Sequence, residues 1–140
     1  MIRTCVLWGL LLGLLGATAV AEGPPPVDAR RLPPGGLEAY GWTPLHWAAR
    51  TGGAEAVRRE LDRSDNAQLE ARDTIERTPI HIAVLAGDAG AVRLLAEAGA
   101  DVNSRDRWGV TPLRRAVLLG ETRGWALEEV KAVLRQHGAE

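Results

Sequence analysis

The 140-residue chain contains no phenylalanine, a single tyrosine and a single cysteine. That cysteine is Cys5, so the residues that follow it hold no thiol, and disulfides cannot contribute to their stability. The formal net charge is only −1, whereas a nucleic-acid-binding domain normally carries a strong basic excess. The composition therefore argues against a disulfide scaffold and against a dedicated nucleic-acid binder.

The chain also lacks an apolar run long enough to span a bilayer. Its strictly apolar stretch, residues 6–16, is about half as long as the roughly 20 residues that a membrane-spanning helix needs. Arg3 precedes this stretch, and Ala19-Val20-Ala21 follows it with small residues at the positions that signal peptidase reads. We therefore predict a signal peptide over residues 1–21, cleaved after Ala21, and a periplasmic or secreted mature protein. An uncleaved membrane anchor is the alternative.

Proline and glycine are concentrated in residues 22–36, which read EGPPPVDARRLPPGG. Proline lacks a backbone donor and resists helix formation, and this segment offers few side chains to bury. We predict that residues 22–36 form an extended, flexible linker between the signal peptide and a folded domain over residues 37–140.

The rest of the sequence is repetitive. Thr-Pro followed by an aliphatic residue begins at Thr43, Thr78 and Thr111, which are 35 and 33 residues apart. An acidic residue stands five positions before each threonine, at Glu38, Asp73 and Asp106. Periods of about 20 to 50 residues are typical of solenoids, in which each unit buries its apolar face only against its neighbours.

Each Thr-Pro pair predicts the start of a helix, because threonine caps the helix and proline is tolerated in its first turn. The predicted first helices cover about 43–51, 78–86 and 111–119, each ended by a glycine (Gly52, Gly87 and Gly120). The predicted second helices cover about 54–62, 89–98 and 126–137. Helices this short are marginal alone, so stacking must supply their stability. The predicted core comprises Leu45, Ala48, Ala49, Val57, Leu61, Ile80, Ala83, Val84, Val92, Leu94, Leu95, Leu113, Ala116, Val117, Val133 and Leu134.

The stretches TPLHWAARTGGAEAV at 43–57 and TPIHIAVLAGDAGAVRLLAEAGADVNSRDRWGVTPL at 78–113 resemble ankyrin repeats. The resemblance covers residues 37–140 as three repeats, about 38–72, 73–105 and 106–140. It implies an all-α ankyrin-repeat solenoid of stacked helix-turn-helix units with short β-hairpin fingers. It also implies a protein-recognition module that is not an enzyme.

The sequence departs from the ankyrin pattern at several positions. Glu76 stands where Gly41 and Gly109 serve the finger turn, which predicts a distorted second finger. Arg114 replaces the histidine found at His46 and His81. The third repeat carries about six extra residues around 121–126, which leave the boundary between its two helices open.

No motif for catalysis or metal binding accompanies the repeats. Ser64 and Ser104 lie in predicted linkers without a nucleophile signature. A zinc site needs three or four converging ligands. The resemblance instead implies that His46 and His81 tie neighbouring repeats together, while His137 lies at a helix end. We therefore expect no cofactor and no metal.

In ankyrin domains the concave face is formed by the finger tips and the outer ends of the first helices. Carrying these positions over gives the partner-binding candidates Tyr40, Trp42, Arg50, Ile75, Arg77, Arg107, Trp108 and Val110. Aromatic and arginine residues are enriched in binding hot spots. Alternatively, the finger aromatics pack against adjacent fingers, and the Trp125 insertion covers Leu118 and Leu119. Trp47 is assigned to the core or to the uncapped first helix pair.

The leading hypothesis is a monomeric protein that binds an unidentified protein partner in the periplasm through this concave face. A narrower version is an inhibitor or immunity-type protein that neutralises a toxin or hydrolase. Two further hypotheses are a stress-protective accessory protein that binds metal or haem, and a membrane-tethered structural element if residues 1–21 are retained.

Overall fold

The computed structural model describes residues 36–140; the predicted signal peptide and nearly all of the predicted linker lie outside this range. The described chain consists of stacked helices. Their bounds are α1 Pro44–Trp47, α2 Gly53–Ser64, α3 Pro79–Ala86, α4 Ala89–Glu97, α5 Pro112–Arg123 and α6 Glu128–Gln136. First helices pack on first helices and second helices on second helices, with α2 against α4 and α4 against α6. The predicted all-α solenoid of helix-turn-helix units is confirmed.

The three Thr-Pro pairs open equivalent helices, as predicted. Thr43, Thr78 and Thr111 all have extended backbones, with φ between −80° and −88°, and a proline follows in the first helical turn. The hydroxyl of Thr43 accepts a hydrogen bond from the His46 N–H at 3.4 Å, and that of Thr111 from the Arg114 N–H at 3.3 Å. These bonds satisfy donors that would otherwise be orphaned at a helix start.

The first repeat deviates from a regular helix pair. Helix α1 holds only four residues and continues as a π-helical turn, Ala48–Gly52, which meets α2 at Gly53. The Thr51 hydroxyl donates to the Trp47 carbonyl at 2.9 Å. A side chain that bonds this carbonyl competes with the backbone ladder, which favours the wider turn.

The third repeat shows where one boundary prediction was wrong. Helix α5 runs through Gly120 to Arg123. The next residue, Gly124, has a left-handed φ of 65°, and its N–H donates to the Gly120 carbonyl at 3.0 Å. The extra residues therefore lengthen the first helix by one turn, and α6 begins at Glu128 instead of residue 126. Glycine ends a helix only where it adopts the left-handed conformation, and in this repeat Gly124 has that role.

The core runs through the stack along both helix layers. Twelve of the sixteen predicted core residues are buried, whereas Leu61, Leu94, Leu113 and Val117 are only partly buried. The prediction missed several residues that are fully or almost fully buried, including Ile82, Leu127 and Val130. Helix α3 is buried without interruption from Pro79 to Val84, because α1, α4 and α5 all pack against it. Among residues 36–140, no helix is both long and apolar enough to cross a membrane.

Candidate functional site

The second and third fingers are each built around one buried aspartate. The Oδ1 atom of Asp73 accepts hydrogen bonds from the N–H groups of Ile75 and Arg77 at 3.0 and 2.9 Å. Asp106 repeats this geometry with the N–H groups of Trp108 and Val110, both at 3.0 Å. Each carboxylate therefore fixes the backbone of its finger and keeps Oδ2 for a side-chain partner.

These side-chain partners are arginines. Oδ2 of Asp73 accepts from Nε and Nη2 of Arg77 at 2.8 and 2.7 Å, and Oδ2 of Asp106 pairs with Arg115. Burial alone would raise the pKa of Asp73 and of Asp106, but the finger hydrogen bonds and the paired guanidinium outweigh burial and lower it. Both carboxylates thus remain charged anchors of their fingers.

The turn of the second finger is not distorted by Glu76, contrary to the prediction. Glu76 has φ 63°, close to the 65° of Gly41 and the 72° of Gly109. Its N–H donates to the Asp73 carbonyl at 2.9 Å, as the Gly109 N–H donates to the Asp106 carbonyl at 2.8 Å. The carboxylate network of Asp73 holds the turn, so Glu76 carries the left-handed strain instead of relieving it.

Hydrogen bonds align neighbouring fingers. The N–H of Thr74 donates to the Tyr40 carbonyl at 3.0 Å, and the N–H of Arg107 donates to the Ile75 carbonyl at 3.1 Å. Nη2 of Arg107 also donates to the Thr74 carbonyl at 2.7 Å. Residues 36–140 contain no β-strand, so the fingers are hydrogen-bonded turns where β-hairpins were expected. The bonds nevertheless place the finger tips in one row.

The exposed aromatic side chains lie at the two ends of this row. Trp108 is 63% exposed and Tyr40 is 36% exposed. The Arg115 guanidinium carbon lies 5.9 Å from the centroid of the Trp108 ring, which leaves a cation–π contact on one side of the indole. Arg107 beside Trp108 is also exposed. The third finger thus presents an aromatic ring and an arginine to solvent.

Trp42 follows the alternative interpretation, in which finger aromatics pack against neighbouring fingers. It is half-buried between Tyr40 and Trp47, with ring centroids 5.6 and 6.0 Å away. Its Nε1 donates to Oδ2 of Asp73 in the next finger at 3.2 Å. Trp42 therefore joins the first two fingers.

The remaining predicted site residues are half-buried. Ile75 and Val110 contribute finger backbone as well as side chain, and Arg77 is held by Asp73. The Arg50 side chain forms no ion pair within residues 36–140, and its Nη1 is buried without a hydrogen-bond partner. Leu118 is half-buried, whereas Leu119 is buried and does not extend the face.

The two repeat histidines have structural positions. Nε2 of His46 lies 3.0 Å from the Arg77 carbonyl, and Nε2 of His81 lies 3.0 Å from the Val110 carbonyl, so each ring reaches the finger of the next repeat. Nδ1 of each ring contacts the helix-capping threonine. Burial lowers the pKa of both rings, which keeps them neutral. The implied tying role is confirmed. Arg114 at the third position is exposed.

The serine hydroxyls are also used within the fold. Ser64 donates to the Glu60 carbonyl at 2.8 Å, and the buried Ser104 hydroxyl lies 3.2 Å from that of Thr78. In the part of the chain that the structure describes, no group of three or more His, Cys, Asp or Glu side chains is placed to hold a metal ion.

A second surface feature lies at the first helix pair. An open groove of about 520 Å³ is lined by Leu37, Trp47, Thr51, Ala56 and Arg59 among others. Trp47 is therefore at the groove wall and not in the core, which agrees with its assignment to the first helix pair. The groove lies apart from Trp108 in the third finger.

Sequence reasoning missed the two finger aspartates and Arg115 as builders of the site. The signal was present, because Asp73 and Asp106 stand five residues before the second and third Thr-Pro pairs. The side chain of an aspartate at the start of a tight turn typically accepts a hydrogen bond from the backbone two residues ahead. This tendency would have placed both aspartates in the fingers.

Comparison with known proteins gives a consistent result. A family model described as ankyrin repeats (3 copies) matches residues 22–106 and 61–140. The serine/threonine-protein kinase VIK of Arabidopsis thaliana is 39% identical over 92 residues, which is 66% of this chain and 19% of the kinase. The potassium channel GORK of the same plant is 41% identical over 69 residues, covering 49% of this chain and 8% of the channel.

A smaller relative shows the same pattern. The ankyrin repeat-containing protein P1E11.10 of Schizosaccharomyces pombe is 40% identical over 72 residues, covering 51% of this chain and 34% of that protein. The chain thus spans about a third or less of the length of these relatives. The likeness concerns the repeats and does not extend to the rest of those proteins.

Proposed function

The chain belongs to the ankyrin-repeat family, and on this basis we propose that it binds a folded protein partner through its concave face. Ankyrin repeats are protein–protein interaction modules and are generally not enzymes. The observation that carries the choice of surface is the third finger, where Trp108 is 63% exposed beside the exposed Arg107. Large exposed aromatic side chains next to arginine are typical of binding hot spots.

The rigidity of the fingers supports the same proposal. Asp73 and Asp106 fix their turns with two backbone hydrogen bonds each, and the bonds from Thr74 and Arg107 hold the finger tips together. A surface that is ordered before the partner arrives loses little conformational entropy on binding. The finger row is thus suited to shape-specific recognition of a folded surface.

The compartment belongs to the proposal as well. Export to the periplasm or beyond is supported by Arg3, by the apolar run over residues 6–16 and by Ala19-Val20-Ala21. The partner would then be bound in that compartment. An inhibitor of a toxin or hydrolase would use the same concave face, so the identity of the partner decides between that role and a general adaptor.

The test is affinity capture from a periplasmic extract, with the tagged full-length gene product as bait. We expect one partner to be retained by the unaltered chain and weakened by Trp108→Ala and Tyr40→Ala, by about 2 kcal/mol or roughly 30-fold for a hot-spot residue. Circular dichroism should be unchanged, because both side chains are exposed.

Arg93→Ala is the matched control, since Arg93 is exposed on α4, away from the fingers. Partner binding should survive this change. Equal retention of the partner by Trp108→Ala, Tyr40→Ala and Arg93→Ala would show that the concave face is not the binding surface.

A further inference from the structure

We propose that the exposed arginines Arg72, Arg105 and Arg107 of the second and third fingers bind an acidic segment of the protein partner. We call these three residues the arginine ridge. Trp108, which is 63% exposed next to Arg107, supplies an apolar contact to the same segment. The inference rests on the proposed function and deepens it, because it names the chemistry that the partner must present.

Two ridge arginines occupy equivalent places in successive repeats. Nη1 of Arg72 donates to the Glu76 carbonyl at 3.1 Å. Nη1 of Arg105, 33 residues further along the chain, donates to the Gly109 carbonyl at 3.2 Å. Each of these guanidinium groups therefore lies against the turn of its own finger.

The third ridge arginine and Arg72 also join the two fingers. Nη2 of Arg107 donates from the third finger to the Thr74 carbonyl in the second at 2.7 Å. Nη1 of Arg72 donates to the Arg105 carbonyl at 2.8 Å. The three guanidinium groups are thus held around two adjacent finger turns. Arginines that are ordered in advance lose less side-chain entropy when they meet carboxylates.

The positive charge of the ridge is not neutralised within the described chain. A carbonyl has no net charge, and no ridge arginine forms an ion pair within residues 36–140. Asp73 and Asp106 are paired with other arginines, and Glu70 accepts from the N–H of Asp101 at 2.8 Å. Glu76 is the one acidic residue in the turns 74–76 and 107–109. The ridge therefore has more positive charge than this acid can balance, and its guanidinium groups keep N–H donors for carboxylates.

The exposed arginines of α2 differ from the ridge. Arg58, Arg59 and Arg63 each have an aspartate or glutamate three or four positions away on the same helix. Residues at these spacings are neighbours on a helix surface and balance each other's charge. The ridge is thus a local basic patch on a chain whose formal net charge is −1. Such a patch fits an acidic patch of a protein better than the continuous negative charge of a nucleic acid.

The ridge does not extend to the first finger. The positions of the first repeat that correspond to Arg72 and Arg107 are Leu37 and Ala39. The acidic segment of the partner should therefore cover the second and third fingers only. Because Trp108 follows Arg107 directly, that segment should also carry apolar side chains between its acidic ones.

The experiment titrates the ¹⁵N-labelled full-length gene product with N-acetyl-Glu-Leu-Glu-Leu-Glu-amide and with the matched peptide N-acetyl-Gln-Leu-Gln-Leu-Gln-amide. Arginine Nε–Hε signals report on the ridge, and the indole Nε1–H signal reports on Trp108. We expect the glutamate peptide to shift all of these signals and to bind about tenfold more tightly than the glutamine peptide at low salt, since several exposed charge pairs contribute together. The preference should fall to about twofold or less at high salt, because exposed charges are screened.

The diagnostic variant replaces all three ridge arginines with glutamine. The matched control makes the same change of net charge on α2, with Arg58→Gln, Arg59→Gln and Arg63→Gln. We expect the ridge variant to lose the preference for the glutamate peptide and the control to retain it. Arg105→Gln alone removes only a side-chain bond within one finger, so it should roughly halve the preference without changing the melting temperature.

Equal affinity for the two peptides at low salt, or shifts centred on α2, would overturn the ridge as a binding surface. Tighter binding of a thymidine oligonucleotide of equal charge, if lost in the ridge variant, would overturn it in favour of a nucleic-acid ligand. If the captured protein partner still binds the ridge variant at full strength while Trp108→Ala weakens it, the ridge fails and the proposed function stands. If the glutamate peptide binds the ridge but no protein is captured, the ridge stands and the proposed function fails.

Discussion

The second and third repeats start with the same Thr-Pro-aliphatic motif, yet their first helices are packed differently. In α3 every residue from Pro79 to Val84 is buried, whereas in α5 only Pro112, Ala116 and Leu119 are buried. Helix α3 packs against first helices on both sides, while α5 packs against one described first helix, α3. The position of a repeat in the stack, and not its motif, therefore decides how much its helix buries.

The finger turns of these two repeats also differ, but here the second repeat has the less favourable backbone conformation. The third finger turns at Gly109, which adopts a positive φ at no steric cost, whereas the second turns at Glu76 with nearly the same φ. The best-packed repeat thus contains the more strained turn. Packing energy in α3 and hydrogen bonds from Asp73 together offset the cost of a residue that the turn disfavours.

The largest expected difference between the repeats is in the cost of truncating their equivalent aliphatic residues. Ile80 is fully buried in α3, and Leu113 at the same position of α5 is partly buried. We expect Ile80→Ala to lower the free energy of unfolding by about 3–4 kcal/mol and Leu113→Ala by roughly 1–2 kcal/mol, because less packed surface is lost at the second site. Urea denaturation of both variants measures the difference. Equal losses would contradict the dependence on position in the stack.

An intermediate effect should come from acid. His46 and His81 have pKa values lowered by burial from the ordinary 6.5, so the unfolded chain takes up protons on these rings at a pH where the folded chain does not. Stability should be complete above about pH 6.5 and should fall as the pH decreases below it. Asp73 and Asp106, whose pKa values are lowered from 3.8, should add a second loss below about pH 4.

Urea denaturation as a function of pH, compared with His81→Gln, measures this loss. The variant should be less stable than the unaltered chain at about pH 7.5 and should lose less stability on acidification to about pH 5.5, since one titrating ring is absent. An unaltered chain whose stability is constant over that interval would show that the rings are not held neutral by the fold.

The smallest expected effect is at the strained turn. Glu76→Gly places the residue type of Gly41 and Gly109 at a left-handed position, which should raise the free energy of unfolding by about 0.5–1 kcal/mol despite the entropy that glycine adds to the unfolded chain. Gly109→Glu is the reciprocal control and should be destabilising. A loss of stability in Glu76→Gly would mean that the Glu76 side chain contributes more than the strain costs.

The repeat, the helix starts and the histidine bonds between repeats were predictable from the sequence. Threonine caps and first-turn prolines are local signals, and they recur at a fixed period. The sequence did not determine the end of α5, since Gly120 and Gly124 are both able to end a helix and tertiary contacts choose between them. It predicted a distorted finger at Glu76, because the compensating bonds of Asp73 become visible only in three dimensions.

The residues of the candidate site were predictable from the sequence, but the exposure and the pairing of their side chains were not. Finger positions identified Trp42, Arg77 and Trp108 alike, yet only Trp108 is largely exposed, and Arg77 is engaged by Asp73. The unpartnered Nη1 of Arg50 could not be predicted, because it depends on which acceptors each arginine reaches in the folded chain.

Native-state hydrogen exchange of the full-length gene product tests most directly whether the repeats are stable only as a stack. The amides of α3 should exchange most slowly, with those of α1 and α5 less protected on either side, because only α3 is packed against first helices on both faces. Equal protection of α1, α3 and α5, or slowest exchange in α1, would contradict the account.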